Sequence, residues 1–162
     1  MSKIYRIISS FTQEQSETGM KQFSEYELKM IIDLLGRIEM YTFKYDGKVC
    51  HWREGELEYN ILFCSEKEID EVRKYDNQIH NDMEGYTTID DITEDVLLNT
   101  FDTSVFGFFQ FEMNYDFFNF RKEYLTKDIL LDKILKYGKD SLTENDKLFL
   151  EDKDMISPLD NL

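Results

Sequence analysis

The stretch that decides the fold class is residues 41–63, YTFKYDGKVCHWREGELEYNILF. Its first and last thirds alternate apolar with polar residues, and a period of two predicts strands with one buried face. Asp46-Gly47 is a hairpin turn signal, because glycine tolerates the positive φ of a type I′ turn, and Glu54-Gly55 offers a second turn. The stretch therefore predicts a three-strand antiparallel meander with residues 48–53 as its middle strand.

Helices are predicted on either side of this meander, behind a first strand over residues 3–11. Ser24 and Glu27 form a capping-box pattern, and Ser65 and Glu68 repeat it. The first box precedes a stripe at helical spacing, which we predict to be core: Leu28, Ile31, Ile32, Leu35 and Ile38. The second box opens a helix to about His80, with Ile69, Val72 and Ile79 facing inward. The sequence thus predicts an α+β fold, an antiparallel meander sheet with packed helices.

The second half of the chain has less regular patterns. Residues 88–98 predict a short helix with apolar residues on one side: Ile89, Ile92, Val96 and Leu97. Residues 105–115 predict a strand, because bulky apolar residues occupy every second position from Phe109 to Tyr115.

The C-terminal segment predicts a helical hairpin. Thr126 suits the N-cap of a helix through Tyr137, and Gly138 suits a left-handed stop. A second helix is expected from residues 141–143 to about 152, followed by a frayed polar tail around Pro158. We therefore expect an acidic α+β domain over residues 1–122, with the hairpin and tail, residues 123–162, packed on it.

The charge balance excludes some classes of partner. The chain has 19 Lys and Arg residues against 34 Asp and Glu residues, a net charge of −15. Direct binding to nucleic acid is disfavoured, because its sequence-independent affinity comes from basic side chains, and anionic membranes are disfavoured for the same reason. A basic protein partner is favoured, since long-range attraction raises its association rate. The alternative is that the acidity serves solubility alone.

The acidic residues are concentrated in one segment. Residues 66–102 contain 12 acidic and three basic residues, a local net charge of −9. A dense single-sign face can imitate the spacing of phosphates and occupy a groove built for nucleic acid. The candidate partner-binding residues are Asp82, Glu84, Asp90, Asp91, Glu94 and Asp95. Glu94 and Asp95 follow Thr93, so these two can instead complement a helix dipole.

The sequence offers no catalytic, metal or cofactor motif. The soft ligand candidates are Cys50, His51, Cys64 and His80, and no CxxC or HxxxH pair is present. Neighbouring Cys50 and His51 would point to opposite faces of a strand. Both cysteines are expected to be reduced, and Trp52 is either a core aromatic or an interface anchor. With no signal-peptide pattern and no long apolar run, the expected compartment is the cytoplasm, without a membrane span.

The C-terminal segment resembles part of a known protein family. The stretch DILLDKILKYGKDSLT, residues 128–143, with DKLFL, residues 146–150, resembles the short C-terminal helical tail of some bacterial rhomboid-type membrane proteins. The likeness extends over residues 126–152 only. The rhomboid membrane helices and catalytic residues are not in the sequence, so protease activity does not carry over. The resemblance implies a source in bacteria, their phages or mobile elements, and a docking role for the tail.

These observations predict an acidic, non-enzymatic protein that inhibits or regulates a basic, nucleic-acid-handling protein such as a nuclease or ribonucleoprotein. Counter-defence proteins such as anti-CRISPRs and toxin-immunity proteins both fit this size and charge. One alternative is an adaptor that docks through the C-terminal hairpin. Another is an enzyme or small-ligand-binding domain in which the aromatic segment 106–120 lines a pocket.

Overall fold

The structure is a computed structural model that describes residues 2–10, 24–37, 39–45, 57–80 and 86–161. The chain divides into two compact units, Met1–Ile92 and Thr93–Leu162. Each is described by itself below. The predicted domain boundary after residue 122 falls inside a helix of the second unit.

The first unit alternates strands and helices around one antiparallel sheet. Its elements are β1 (Lys3–Ser10), α1 (Glu25–Arg37), β2 (Glu39–Tyr45), β3 (Leu57–Cys64), α2 (Glu66–His80) and β4 (Tyr86–Asp91). The strand order is β2-β3-β1-β4, and every neighbouring pair is antiparallel. This βαββαβ order is that of the ferredoxin-like split β-α-β arrangement. The predicted α+β class with an antiparallel sheet is confirmed.

The strand order differs from the predicted meander. β2 and β3 are hydrogen-bonded neighbours, with Tyr41 opposite Ile61 and Tyr45 opposite Leu57. A strand over residues 48–53 therefore does not separate them as predicted, and that segment lies outside the described residues. Alternation identified β2 and β3 correctly, but it carries no information on which strands pair.

Both capping boxes are formed, and they fix where α1 and α2 begin. The Glu27 N–H donates to Ser24 Oγ at 3.2 Å, and the Ser24 N–H donates to Glu27 Oε2 at 3.1 Å. Ser65 and Glu68 repeat this reciprocal pair at 3.2 and 3.1 Å. Each box satisfies two backbone donors that the first helical turn leaves unpaired.

One core cluster of this unit lies on the sheet face that carries Tyr5 and Ile7. These two residues cluster with Leu62 and Cys64 of β3, Leu34 of α1 and Ile69 of α2. Ile69 is core as predicted, whereas Ile32 was wrongly assigned to the α1 core and is 66% exposed. Leu34 takes the inward position because its direction differs from that of Ile32 by two helical positions, about 200° around the axis.

Every secondary-structure element described in the second unit is a helix or a 3₁₀ turn. It contains α3 (Thr93–Leu97), a 3₁₀ turn (Thr103–Phe109), α4 (Gln110–Tyr124), α5 (Lys127–Tyr137), a 3₁₀ turn (Lys139–Ser141), α6 (Glu144–Leu150) and a final 3₁₀ turn (Pro158–Asn161). Phe101, Phe106 and Phe117 pack with ring centroids 5.8, 5.9 and 6.2 Å apart. Such separations are typical of favourable aromatic contacts. None of the helices in the described ranges could cross a membrane, by length and apolarity together.

The strand predicted over residues 105–115 is wrong. Thr103–Phe109 is a 3₁₀ turn and α4 continues to Tyr124. Met113, Phe117 and Phe120 are buried at helical spacing, while Phe109 and Phe111 are about half exposed. The aromatic residues are thus compatible with the two-residue period of a strand and with the 3.6-residue period of a helix, and tertiary packing favours the helix. The predicted helix over 88–98 is also divided, because Ile89 lies in β4 and only Thr93–Leu97 is helical.

The predicted hairpin elements are present. The Ile129 N–H donates to Thr126 Oγ1 at 3.3 Å, and α5 ends at Tyr137. Gly138 has the expected positive φ of 85°, but its ψ of 166° is extended rather than left-handed helical. The polar tail does not fray at Ile156, because Asn145 of α6 donates to the Ile156 carbonyl at 3.0 Å and accepts from its N–H at 2.7 Å.

Candidate functional site

Four of the six acidic residues selected from the sequence lie within the described residues. Asp82 and Glu84 lie outside the described residues. Asp90 and Asp91 are consecutive on β4, so their side chains point to opposite sides of the sheet. Arg6 Nη2 donates to Asp90 at 2.9 Å, and Lys3 Nζ donates to Asp91 at 3.3 Å. Both carboxylates therefore support the pairing of β4 with β1.

Glu94 and Asp95 lie in the first turn of α3, in the second unit. Thr100 Oγ1 donates to Asp95 Oδ1 at 3.1 Å, and Lys136 Nζ lies 3.9 Å from Glu94 Oε1. The helix dipole favours acidic residues at this position, as the alternative interpretation held. The sequence cluster is thus divided between two units, and its described carboxylates have local structural roles.

A different candidate contact surface, which carries acidic and apolar side chains, is present on α5. Leu131 is 50% exposed and Leu135 is 85% exposed, four positions apart and so one above the other. Asp128 and Asp132 form a parallel exposed row with the same spacing. We call these four residues the α5 outer face. Within the described residues, neither Asp128 nor Asp132 has an ion pair. Scattered exposed leucines are ordinary, but a leucine row beside an acidic row has the chemistry of a contact surface.

The opposite side of α5 is held by a buried ion network. Lys133 is 2% exposed, and its Nζ donates to Asp146 Oδ2 of α6 at 2.8 Å. Arg121 of α4 is also buried, donating from Nη2 to Asp146 Oδ1 and from Nε to the Leu97 carbonyl, the latter at 3.1 Å. One fully buried carboxylate therefore pairs with two cations from two other helices. We call Arg121, Lys133 and Asp146 the buried triad.

The capping interactions of α6 position Asp146. The Asp146 N–H donates to Thr143 Oγ1 at 3.2 Å, while the Thr143 N–H donates to Asp146 Oδ2 at 3.0 Å. Burial raises the pKa of Asp146, but hydrogen bonds from Lys133 and the Thr143 backbone, with the charge of Arg121, outweigh it and leave the pKa lowered. Asp146 is therefore a carboxylate at neutral pH, and its bond with Lys133 ties the inward side of α5 to α6.

Sequence reasoning missed the buried triad. Thr143-x-x-Asp146 is readable as a capping box, but the burial of Lys133 and Arg121 follows from tertiary packing. Of the candidates for nucleophilic or metal chemistry, Cys50, His51 and Trp52 lie outside the described residues. Cys64 is a buried free thiol in the core of the first unit. The described residues contain no group of three or more His, Cys, Asp or Glu able to hold a metal ion.

Comparisons with known proteins show no relative that carries a function. No protein-family model matches the chain, and no curated protein does. Two designed proteins are structurally similar over part of it. The de novo designed protein Ferredog-Diesel matches 56% of this chain and 86% of its own length, at 16% identity and a TM-score of 0.35. The de novo designed protein Foldit4 matches 56% of this chain and 97% of its own length, at 12% identity and a TM-score of 0.33.

Proposed function

We propose that this chain is an acidic, non-enzymatic binding protein of the cytoplasm that inhibits or regulates a basic, nucleic-acid-handling protein. The net charge of −15 carries this proposal. Such a charge attracts a basic partner toward the chain, and it repels nucleic acid that competes for the nucleic-acid-binding groove of that partner. Counter-defence against a nuclease and immunity against a toxic nuclease are two biological settings for one and the same physical interaction.

We propose the α5 outer face as the contact surface, which joins the inhibitor hypothesis to the hairpin-adaptor hypothesis. Its leucines supply apolar area at the centre of an interface, and its carboxylates select basic neighbours at the rim. The fitting occupant is a basic amphipathic segment of the partner, with apolar residues for the leucine row and Lys or Arg for the acidic row. The rigid attachment of α5 lowers the entropic cost of binding.

The test begins with capture from the source cell and identification of bound proteins by mass spectrometry. The affinity of the purified complex is then measured between low and high salt. We expect a basic partner whose affinity falls as salt rises, because screening weakens attraction between exposed charges. An acidic partner, or a Kd that is independent of salt, would contradict the proposal.

Matched variants locate the contact surface. D128N/D132N removes the acidic row, and we expect it to weaken the complex by about two- to thirtyfold, the range for loss of two exposed ion pairs. L131S/L135S removes the leucine row and is expected to weaken the complex at high salt as well. The control E112Q/E123Q removes two exposed charges elsewhere in the same unit. If the control weakens binding as much as D128N/D132N does, net charge matters and the α5 outer face does not.

A further inference from the structure

A pocket of about 430 Å³ lies within the second unit. Its walls combine aromatic side chains, among them Phe101 and Phe118, with the amide side chains of Asn99 and Asn114. Arg121 of the buried triad also lines it. Sites for small organic ligands typically have this volume and this mixture of apolar walls with a few polar groups.

Arg121 has hydrogen-bonding capacity that the protein does not use. A guanidinium carries five N–H donors. In the part of the chain that the structure describes, Nε donates to the Leu97 carbonyl and Nη2 donates to Asp146. Three N–H groups, including both on Nη1, have no protein acceptor there. Two parallel N–H groups on one guanidinium match the two oxygens of a carboxylate.

The charge of the buried triad favours an anion in this pocket. Arg121 and Lys133 contribute two positive charges and Asp146 one negative charge, so the triad has a net charge of +1. All three side chains are at least 95% buried. A buried excess charge is costly unless a counter-ion is near. Glu144 also lines the pocket, but it is exposed to solvent and therefore offsets the excess only weakly.

We propose that this pocket binds a small organic carboxylate with a planar apolar body. Arg121 holds the carboxylate through its unused N–H groups, the rings of Phe101 and Phe118 contact the apolar body, and the amides of Asn99 and Asn114 contact polar substituents. This ligand site is independent of the proposed partner surface, because the α5 outer face shares no residue with the pocket lining. Failure of either proposal leaves the other untouched.

The probes are benzoate, its neutral analogue benzamide and inorganic phosphate, each titrated into the full-length chain at low ionic strength. Binding is followed by calorimetry and by the backbone amide NMR signals. We expect benzoate to bind at least tenfold more tightly than benzamide, with shifts centred on Asn99 and Asn114. Equal affinity for benzoate and benzamide, or shifts centred elsewhere, would overturn the proposal. Phosphate binding as tightly as benzoate would overturn the assigned ligand class.

Variants outside the buried triad keep the test independent of folding. E144Q removes the opposing charge at the pocket and is expected to tighten benzoate binding two- to fivefold while leaving benzamide unchanged. N114L fills the pocket and should abolish binding, whereas N119L, on the exposed side of the same helix, should not. An E144Q chain that binds benzoate no better than wild type contradicts the electrostatic basis of the site.

Discussion

The buried triad leads to an asymmetric prediction about two substitutions that each remove one charge. D146N leaves Arg121 and Lys133 buried with no counter-ion, whereas K133M leaves a neutral pair of Arg121 with Asp146. Removing one partner of a buried pair costs about 3–5 kcal/mol. Replacing Lys133 by an apolar side chain of similar length leaves no uncompensated buried charge, so it is expected to cost much less than D146N. The two variants should therefore differ widely although they alter the same contact.

The size of this cost can be compared with the stability of the unit. Residues 93–162 form a compact unit of 70 residues, for which a stability of about 3.5–10 kcal/mol is typical. D146N therefore removes a large part of this stability or all of it. At about 1.4 kcal/mol per decade, hydrogen exchange of the protected amides in α4 and α5 should accelerate by about 140- to 3,700-fold.

Hydrogen exchange read by mass spectrometry is the suitable assay, because peptides from each unit report separately. The control is D132N, the same chemical change at an exposed position of α5, and it should leave exchange unchanged. Peptides from β1 and β3 serve as an internal reference in the first unit. Acceleration below tenfold in D146N, or equal acceleration in K133M and D146N, would refute the account of the triad as one carboxylate compensating two buried cations.

Three further predictions concern pH, backbone conformation and thiol reactivity. The pKa of Asp146 is lowered in the folded chain. The stabilising contribution of its carboxylate is therefore present above the unfolded pKa of about 3.9 and is lost as pH falls toward the folded pKa. Circular dichroism should show an acid transition that D146N weakens, and an unchanged transition in D146N would contradict this assignment. Gly138 has φ 85° and ψ 166°, a region that is essentially limited to glycine, so G138A should cost about 1–3 kcal/mol. Its control is G36A in helix α1, which has open space around the new methyl group and should be neutral or slightly stabilising by exchange. Burial, with a smaller contribution from the charge of Glu68, raises the pKa of the Cys64 thiol to about 11, so at pH 8 its thiolate fraction is about a hundredfold below that of an ordinary cysteine. Peptide mapping after iodoacetamide treatment should find Cys64 unlabelled in the folded chain and labelled in urea, and rapid labelling without urea would show that the thiol is accessible.

Local signals in the sequence were sufficient for much of the fold. Ser24 and Ser65 marked the helix starts, and Thr126 and Gly138 bounded α5, because capping depends on residues only a few positions apart. The class of the sheet also followed from local alternation. Which strands pair did not, since pairing depends on contacts between residues far apart in the sequence.

Where two periods coexist, local signals are insufficient. Phe109, Phe111 and Met113 alternate as in a strand, while Met113, Phe117 and Phe120 repeat as in a helix. The rings of Phe101 and Phe106 pack against Phe117, and these tertiary contacts favour the helical period over the strong β-propensity of aromatic residues.

The candidate site was harder to predict than the fold. Charge density along the sequence selected Asp90 and Asp91, but their pairing with Arg6 and Lys3 depends on a register that the sequence does not reveal. The same applies to Lys133, which has the composition of a surface residue and lies buried. Net charge, by contrast, is a property of the whole chain and can be read without knowing the fold.

The shared carboxylate of Asp146 has a consequence for how the second unit can be dissected. Arg121 is on α4, Lys133 on α5 and Asp146 on α6, so detachment of α6 would leave two buried cations without a counter-ion. The stability of α4 and α5 therefore depends on α6. Truncation before Thr126 would therefore damage α4 rather than release an intact remainder. Point substitutions on the outer surface of the hairpin are therefore a more informative test of its role than deletion.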